Sequence, residues 1–310
     1  MKPKKKRRFL CIPVILCVVL LFSSCGKDTS ASNDTKKTNR DNEPVVLTGS
    51  ADGTVTYGNE SVTIDASHTQ NGYLMISYTG QNPKVKLQIT GADDITYTYN
   101  LHGDGYETFP LTAGSGTYQI GIFENIEGTS YATLFTQSID AQLENEFDPY
   151  LYANQYVNFN ANSKAVAEAK KISSSAGDDL EVIQNVYNYM ISNFTYDYDK
   201  AATVQSGYIP DVDEVFEQKT GICFDYAAVM ATMLRCERIP TRLEVGYAGD
   251  IYHAWISTWL DEKGWVDNII KFNGKSWELM DPTLAANSDN KDDVKEYVGD
   301  GDHYALQYSY

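Results

Sequence analysis

Apolar and polar positions alternate along the chain from Val45 to about Leu143. Short runs of this kind cover 54–57, 61–64, 73–78, 84–89, 95–101, 117–123 and 131–139. Turn clusters separate them, among them Asp52-Gly53, Asn71-Gly72, Gly103-Asp104-Gly105 and Gly114-Ser115-Gly116. A period of two between turn signals predicts about seven short strands, hence an all-β, sandwich-like domain over 45–145. This stretch shows no long helical period, no metal-ligand spacing and no nucleophile arrangement. It reads as a spacer or positioning module.

After Phe147-Asp148-Pro149 the period changes. A short helix is predicted over 163–172 and a longer one over 178–194. In the longer one Leu180, Ile183, Val186, Tyr187, Met190 and Phe194 share a face, and Asp178 and Asp179 favour its start. A polar stretch occupies 195–220. Gly221 then opens a helix over 223–236, rich in Ala and Met. Strand-like runs follow at 241–247, 251–260, 265–270 and 277–281, with 265–275 read as an extra hairpin turning at Asn273-Gly274. The tail over 288–310 fits a last strand or a loop. Helices followed by antiparallel strands predict an α+β domain over 150–310.

The N-terminus is a different kind of segment. Residues 1–8 are basic, and 9–22 form an apolar run of a signal peptide's length, too short for a comfortable membrane span. The run ends Ser23-Ser24-Cys25, which resembles a bacterial lipoprotein signal, with Phe22 bulkier than that pattern usually has. The resemblance implies a signal peptide over 1–24, lipidation of Cys25, and a place on the extracytoplasmic face of the cell membrane. An ordinary cleaved signal peptide and a single uncleaved anchor are the alternatives. Residues 25–44 are polar and read as a flexible tether spanning roughly 25 Å.

Charge and cysteine usage narrow the function. The 310 residues carry a formal net charge of −17, and removing the six basic side chains of the first 24 residues leaves −23. Such a body repels nucleic-acid phosphates, so no nucleic acid is expected as a partner. Hydrophobic residues make up 42%, enough for a packed core. Only Cys223 and Cys236 belong to the folded body. On one helix they stand roughly 20 Å apart, whereas a disulfide requires Cα atoms within about 7 Å. The acidic run 288–302 contains no Asp-x-Asp-x-Asp-Gly loop, and neither metal nor cofactor is expected.

Three segments carry chemistry: Gly221-Ile222-Cys223-Phe224-Asp225-Tyr226-Ala227, Tyr252-His253-Ala254-Trp255 and Trp277-Glu278-Leu279-Met280-Asp281-Pro282-Thr283. A Cys in the first turn of a helix meets unpaired N–H groups and the positive end of the dipole, which favour a thiolate. Asp225, two helical steps on, points away from the thiol and supports the helix start. His253 lies in a strand apolar on both alternating sets, where an imidazole needs a partner. Asp281 precedes a Pro and is held extended. Alone, each has an ordinary structural reading.

Their order resembles the transglutaminase-like superfamily over about 165–285. That resemblance implies a papain-like core with Cys223 as nucleophile, His253 as base and Asp281 as the acid that orients it, His and Asp on adjacent strands. The implied activity is thiol acyl transfer at peptide or carboxamide bonds, to water or to an amine. The substrate would be a protein or peptide, with cell-wall peptide among the candidates. The backbone N–H of Cys223 is a natural oxyanion donor, and Gln218 and Tyr196 are candidates for a second. Cys236 reads as structural. A non-catalytic cell-surface binding module on the same scaffold is the rival reading.

Overall fold

The computed structural model describes residues 40–103, 105–267, 270–272, 277–279 and 304–310. The architecture is α+β, with several antiparallel sheets. The first part of the chain holds β1 (Thr56–Gly58), β2 (Val62–Asp65), β3 (Tyr73–Tyr78), β4 (Val85–Thr90), β5 (Thr96–Leu101), β6 (Tyr106–Pro110), β7 (Gly116–Glu127) and β8 (Ser130–Ala141). They form two four-stranded antiparallel sheets, ordered β1-β2-β3-β6 and β5-β4-β7-β8. In β4, Val85, Leu87 and Ile89 are buried while Lys86, Gln88 and Thr90 are less so, the alternation of a strand with one face on a core. Tyr99 of β5 meets Phe109 of β6 edge-on at 4.9 Å, joining one sheet to the other.

β6 was not legible as a strand. Its sequence, Tyr-Glu-Thr-Phe-Pro, buries only Phe109 and Pro110. It is an edge strand paired only with β3, which is where a proline is tolerated.

The second part runs α1 (Lys164–Ser173), α2 (Asp179–Asn193), β9 (Thr195–Tyr196), α3 (Tyr198–Thr203), α4 (Val212–Gln218), β10 (Thr220–Gly221) and α5 (Cys223–Cys236). The strands β11 (Thr241–Ala248), β12 (Ile251–Leu260), β13 (Gly264–Asp267), β14 (Ile270–Phe272), β15 (Trp277–Leu279) and β16 (Tyr304–Ser309) follow. α5 is buried all round from Asp225 to Cys236, so it is a core helix rather than an amphipathic surface one. It packs against α1, α2 and α4 on its helical side and against β11 and β12 of the antiparallel sheet β13-β12-β11-β16. The tail thus supplies an edge strand. β14 and β15 pair with each other, Phe272 opposite Trp277, so their connection is 273–276, outside the described residues.

The stretch 195–220, expected to be polar and irregular, contains α3 and α4. Asp197 and Asp211 cap them, accepting from the backbone N–H of Lys200 (2.8 Å) and Glu214 (2.9 Å). The helices are short and mostly polar, which hides them from any periodicity argument.

All described residues belong to one compact unit. Ala153 N–H donates to Leu47 O at 2.8 Å, and Tyr310 meets Tyr97, Tyr99 and Tyr156 edge-on, so the β-sandwich and the α+β part share an aromatic seam. Residues 40–44, read as the end of the tether, lie against the body. Arg40 is paired with Asp179 (2.6 Å) and Glu237 (3.0 Å), and Asn42 donates to Ala176 O. No helix among the described residues is long and apolar enough to cross a membrane. Cys25 and the segment 1–24 lie outside the described residues.

Candidate active site

The start of α5 is built by residues on three segments. Lys219 ends α4 in the left-handed conformation (φ 55°) and turns the chain into β10. β10 runs parallel to β9, Gly221 opposite Tyr196, and Asp197 N–H donates to Gly221 O at 2.9 Å. Ile222 is the extended N-cap residue and has no side-chain acceptor to offer. Asp225 serves the cap instead. Its Oδ2 accepts from Ile222 N–H at 2.8 Å, the half of a capping box that runs from the third helical residue back to the cap. A Cβ at position 221 would stand 2.6 Å from the Cβ of Asp225, so this fold-back requires glycine there. The Gly-x-Cys-x-Asp spacing is therefore steric.

Asp225 is fully buried, and a buried carboxylate must be compensated. Lys200 Nζ of α3 stands 2.7 Å from Oδ2, and Tyr208 Oη donates to Oδ1 at 2.5 Å. The Lys200 ammonium also lies 4.4 Å from the centre of the Tyr208 ring. Burial first, and then the hydrogen bond to Asp225, pushes the Tyr208 hydroxyl far above its usual range, so it stays a donor. Lys200, Tyr208 and Asp225 together tie the segment between α3 and α4 to the helix start that carries Cys223.

Cys223 is half-buried and opens, with Ile222 and Phe224, on a cavity of about 660 Å³. His253, 8 % exposed and set on β12 opposite Gly246, lines the same cavity. Its ring lies 6.2 Å from that of Trp255, nearly parallel, and 6.3 Å from that of Tyr304. Trp255 is fixed in turn, since its Nε1–H donates to Glu244 at 2.7 Å and Ser257 Oγ donates to the same carboxylate oxygen at 2.5 Å. Gly246 leaves room for this packing. A Cβ there would stand 2.1 Å from Ala305 O and 3.0 Å from Trp255.

Tyr156, Tyr196, Tyr208, Tyr252, Tyr308 and Tyr310 supply much of the remaining wall. Burial raises the Tyr252 hydroxyl, and Tyr308, Tyr247 and Cys223 add to the shift. Lys86, Thr98 and Asn100, from β4 and β5 of the sandwich, belong to the lining as well.

The structure thus brings Cys223 and His253 to one cavity. Asp281 lies outside the described residues. β15 ends at Leu279 and pairs with β14 in a ladder of its own. Of the two suggested oxyanion donors, Tyr196 lines the cavity, whereas Gln218 Nε2 is bound to Glu214 on its own helix at 2.7 Å. Cys236 is fully buried at the other end of α5. Its thiol donates to Met233 O at 3.2 Å, and burial raises it well above the ordinary thiol range. Among the described residues no group of three or more His, Cys, Asp and Glu is placed to hold a metal ion. Sequence reasoning missed Lys200 and Tyr208, for which the cap residues Asp197 and Asp211 were the available signal. It also missed the sandwich's share of the cavity, for which no sequence signal exists.

Cys223 thus starts a buried helix, His253 stands on a central strand of an antiparallel sheet, and both line one cavity. The family model of the transglutaminase-like superfamily matches residues 166–268, and this part of the chain is a transglutaminase-like domain. A protein-glutamine gamma-glutamyltransferase of Pseudomonas aeruginosa is 34% identical over 68 residues, 17% of this chain and 10% of that one. The uncharacterized protein YebA of Bacillus subtilis is 29% identical over 118 residues, 32% of this chain and 16% of that one. The chain therefore spans only a small part of these relatives. Among solved structures, red sea bream transglutaminase aligns with a TM-score of 0.30 and 16% identity, over 70% of this chain and 48% of that one. A chain of Cytophaga hutchinsonii proposed to be a cysteine protease aligns with a TM-score of 0.39 and 14% identity, over 83% of this chain and 73% of that one.

Proposed function

We propose that the protein is a thiol acyl-transfer enzyme, anchored through a lipid on Cys25 at the extracytoplasmic face of the cell membrane. The Cys223 thiolate attacks the carbonyl carbon of a peptide or carboxamide bond. The oxyanion meets the backbone N–H of Cys223, one of the unpaired donors of the helix's first turn. The C–N bond then breaks, the nitrogen leaves with a proton from the His253 imidazolium, and a thioester remains on Cys223. Water or an amine next attacks the thioester and gives its proton to His253. The carboxylic acid or a new amide is released, and the thiolate returns. Asp281 would orient the imidazole.

The observation that carries this reading is the shared cavity, which holds a half-buried thiol at a helix N-terminus together with His253. Trapping the acyl-enzyme tests it. Incubation with peptide carboxamides should give an adduct on Cys223 that hydroxylamine removes, absent in Cys223→Ala. A fluorescent amine added to the same mixture separates transfer, which incorporates it, from hydrolysis, which does not. A protein that binds peptide without any hydroxylamine-sensitive adduct would be a binding module instead.

A further inference from the structure

The chain carries many more acids than bases, yet none of the described residues lining the cavity of Cys223 is Asp or Glu. Lys86 is the one Lys or Arg among them. It stands on β4 opposite Asn100 of β5, and its ammonium donates to Asn100 Oδ1. That partner is neutral and uses one of three N–H groups. No carboxylate pairs with Lys86 among the described residues, although exposed lysines elsewhere, such as Lys164, Lys170 and Lys171, have each found one.

Asn100 is itself held from two sides. Its backbone carbonyl accepts from Gln155 Nε2 at 2.7 Å, and Gly207 of the loop after α3 packs so close that a Cβ there would stand 2.5 Å from Asn100 Nδ2. The ammonium is therefore placed by a rigid strand pair at the wall of the cavity, across a seam between sandwich and core. The rest of the described lining holds six tyrosines and Phe224 and no Asp, Glu, Lys or Arg. A cavity of about 660 Å³ is of the size that takes a small ligand or a few side chains.

We infer that Lys86 is a specificity-determining residue for the acyl donor, reading a carboxylate on an acidic peptide whose neighbouring apolar group packs on the tyrosines. The inference rests on the acyl-transfer reading of Cys223 and gives that site a substrate class. It also gives the sandwich a role in recognition. The sign is informative, because the body as a whole repels anions. Preference for an acidic ligand must come from the local ammonium, against the global field.

The test uses two probes that need no turnover, iodoacetyl-Phe-Glu-amide and iodoacetyl-Phe-Gln-amide, with iodoacetamide as the uncharged control. They are applied to the chain without its lipid signal. Saturation kinetics of Cys223 alkylation give an apparent KI and a maximal rate for each. The expected result is a KI about fivefold lower for the Glu probe, the size of one partly exposed ion pair. That preference disappears in Lys86→Gln, stays in Lys86→Arg and shrinks as salt rises; each ratio is taken within one protein, and the iodoacetamide rate of that protein corrects for any change in thiol reactivity. Equal KI values for the two probes in the wild type, or a preference untouched by Lys86→Gln, would overturn the inference. Slow alkylation by all three reagents at pH 6 would instead count against the acyl-transfer reading. In that case the ratio of KI values is still read at pH 9, where any accessible thiol reacts.

Discussion

The Lys200 ammonium stands 2.7 Å from Asp225, and Asp225 closes the first turn of the helix on which Cys223 is the first residue. A cation on a six-residue helix thus stabilises the platform of the candidate nucleophile. Removing it in Lys200→Met leaves a carboxylate buried without its charge partner. Since the Lys200 side chain is 29 % exposed, the cost is set at about 1–3 kcal/mol, below that of breaking a fully buried pair. Urea denaturation measures it. The loosened helix start should also slow alkylation of Cys223. Lys200→Arg should restore both readings, and a Lys200→Met protein unchanged in both would assign Lys200 no part in the platform.

Gly221→Ala tests the steric origin of the motif. The new Cβ would collide with the Cβ of Asp225, so the carboxylate must leave Ile222 N–H or the helix start must shift. A loss of about 1–3 kcal/mol is expected from overpacking, together with slower alkylation of Cys223. Unchanged stability and reactivity would show that the close approach is not required.

Much of this was legible in the sequence, for physical reasons. The two-residue period of β4 and the largely apolar sequence of α5 come from burial, which leaves its record in residue type. Cys223 and His253 stood out in the sequence because few residue types can serve as nucleophile and base, and the structure places both on one cavity. Contacts made by loops are different. In the polar stretch 195–220 the cap residues Asp197 and Asp211 hint at short helices, but only the buried Asp225 shows what Lys200 and Tyr208 are for. Lys86 reads as the solvent side of an alternating strand, and only the seam with Tyr310 and the loop at Gly207 brings it to the cavity.

The two body cysteines should behave as opposites. Cys236 is fully buried, its thiol bound to a backbone carbonyl and raised by burial. Peptide mapping after brief alkylation of the native protein should find Cys223 modified and Cys236 intact. In strong denaturant the two should react alike. Modification of native Cys236 at the rate of Cys223 would mean that the helix opens readily.

Asp65 supplies a pH dependence. Burial works against its ionisation, but hydrogen bonds from Ser67 and from the Gly53 N–H outweigh it and hold the carboxyl below the usual aspartate range. A group depressed in the folded state contributes stability above its unfolded pKa and loses it as pH falls through the folded one. The stability gap between wild type and Asp65→Asn should be full at neutral pH and shrink only below about pH 4. Thermal melts from pH 7 to pH 3 check this. A gap constant with pH would assign the carboxylate no electrostatic role.

The most direct test of the account is the rate of iodoacetamide alkylation at Cys223 in the wild type and in His253→Ala. An imidazole that takes up the thiol proton makes the sulfur a faster nucleophile, and the account predicts that this fast reaction is lost in His253→Ala. Equal rates in the two proteins would contradict it.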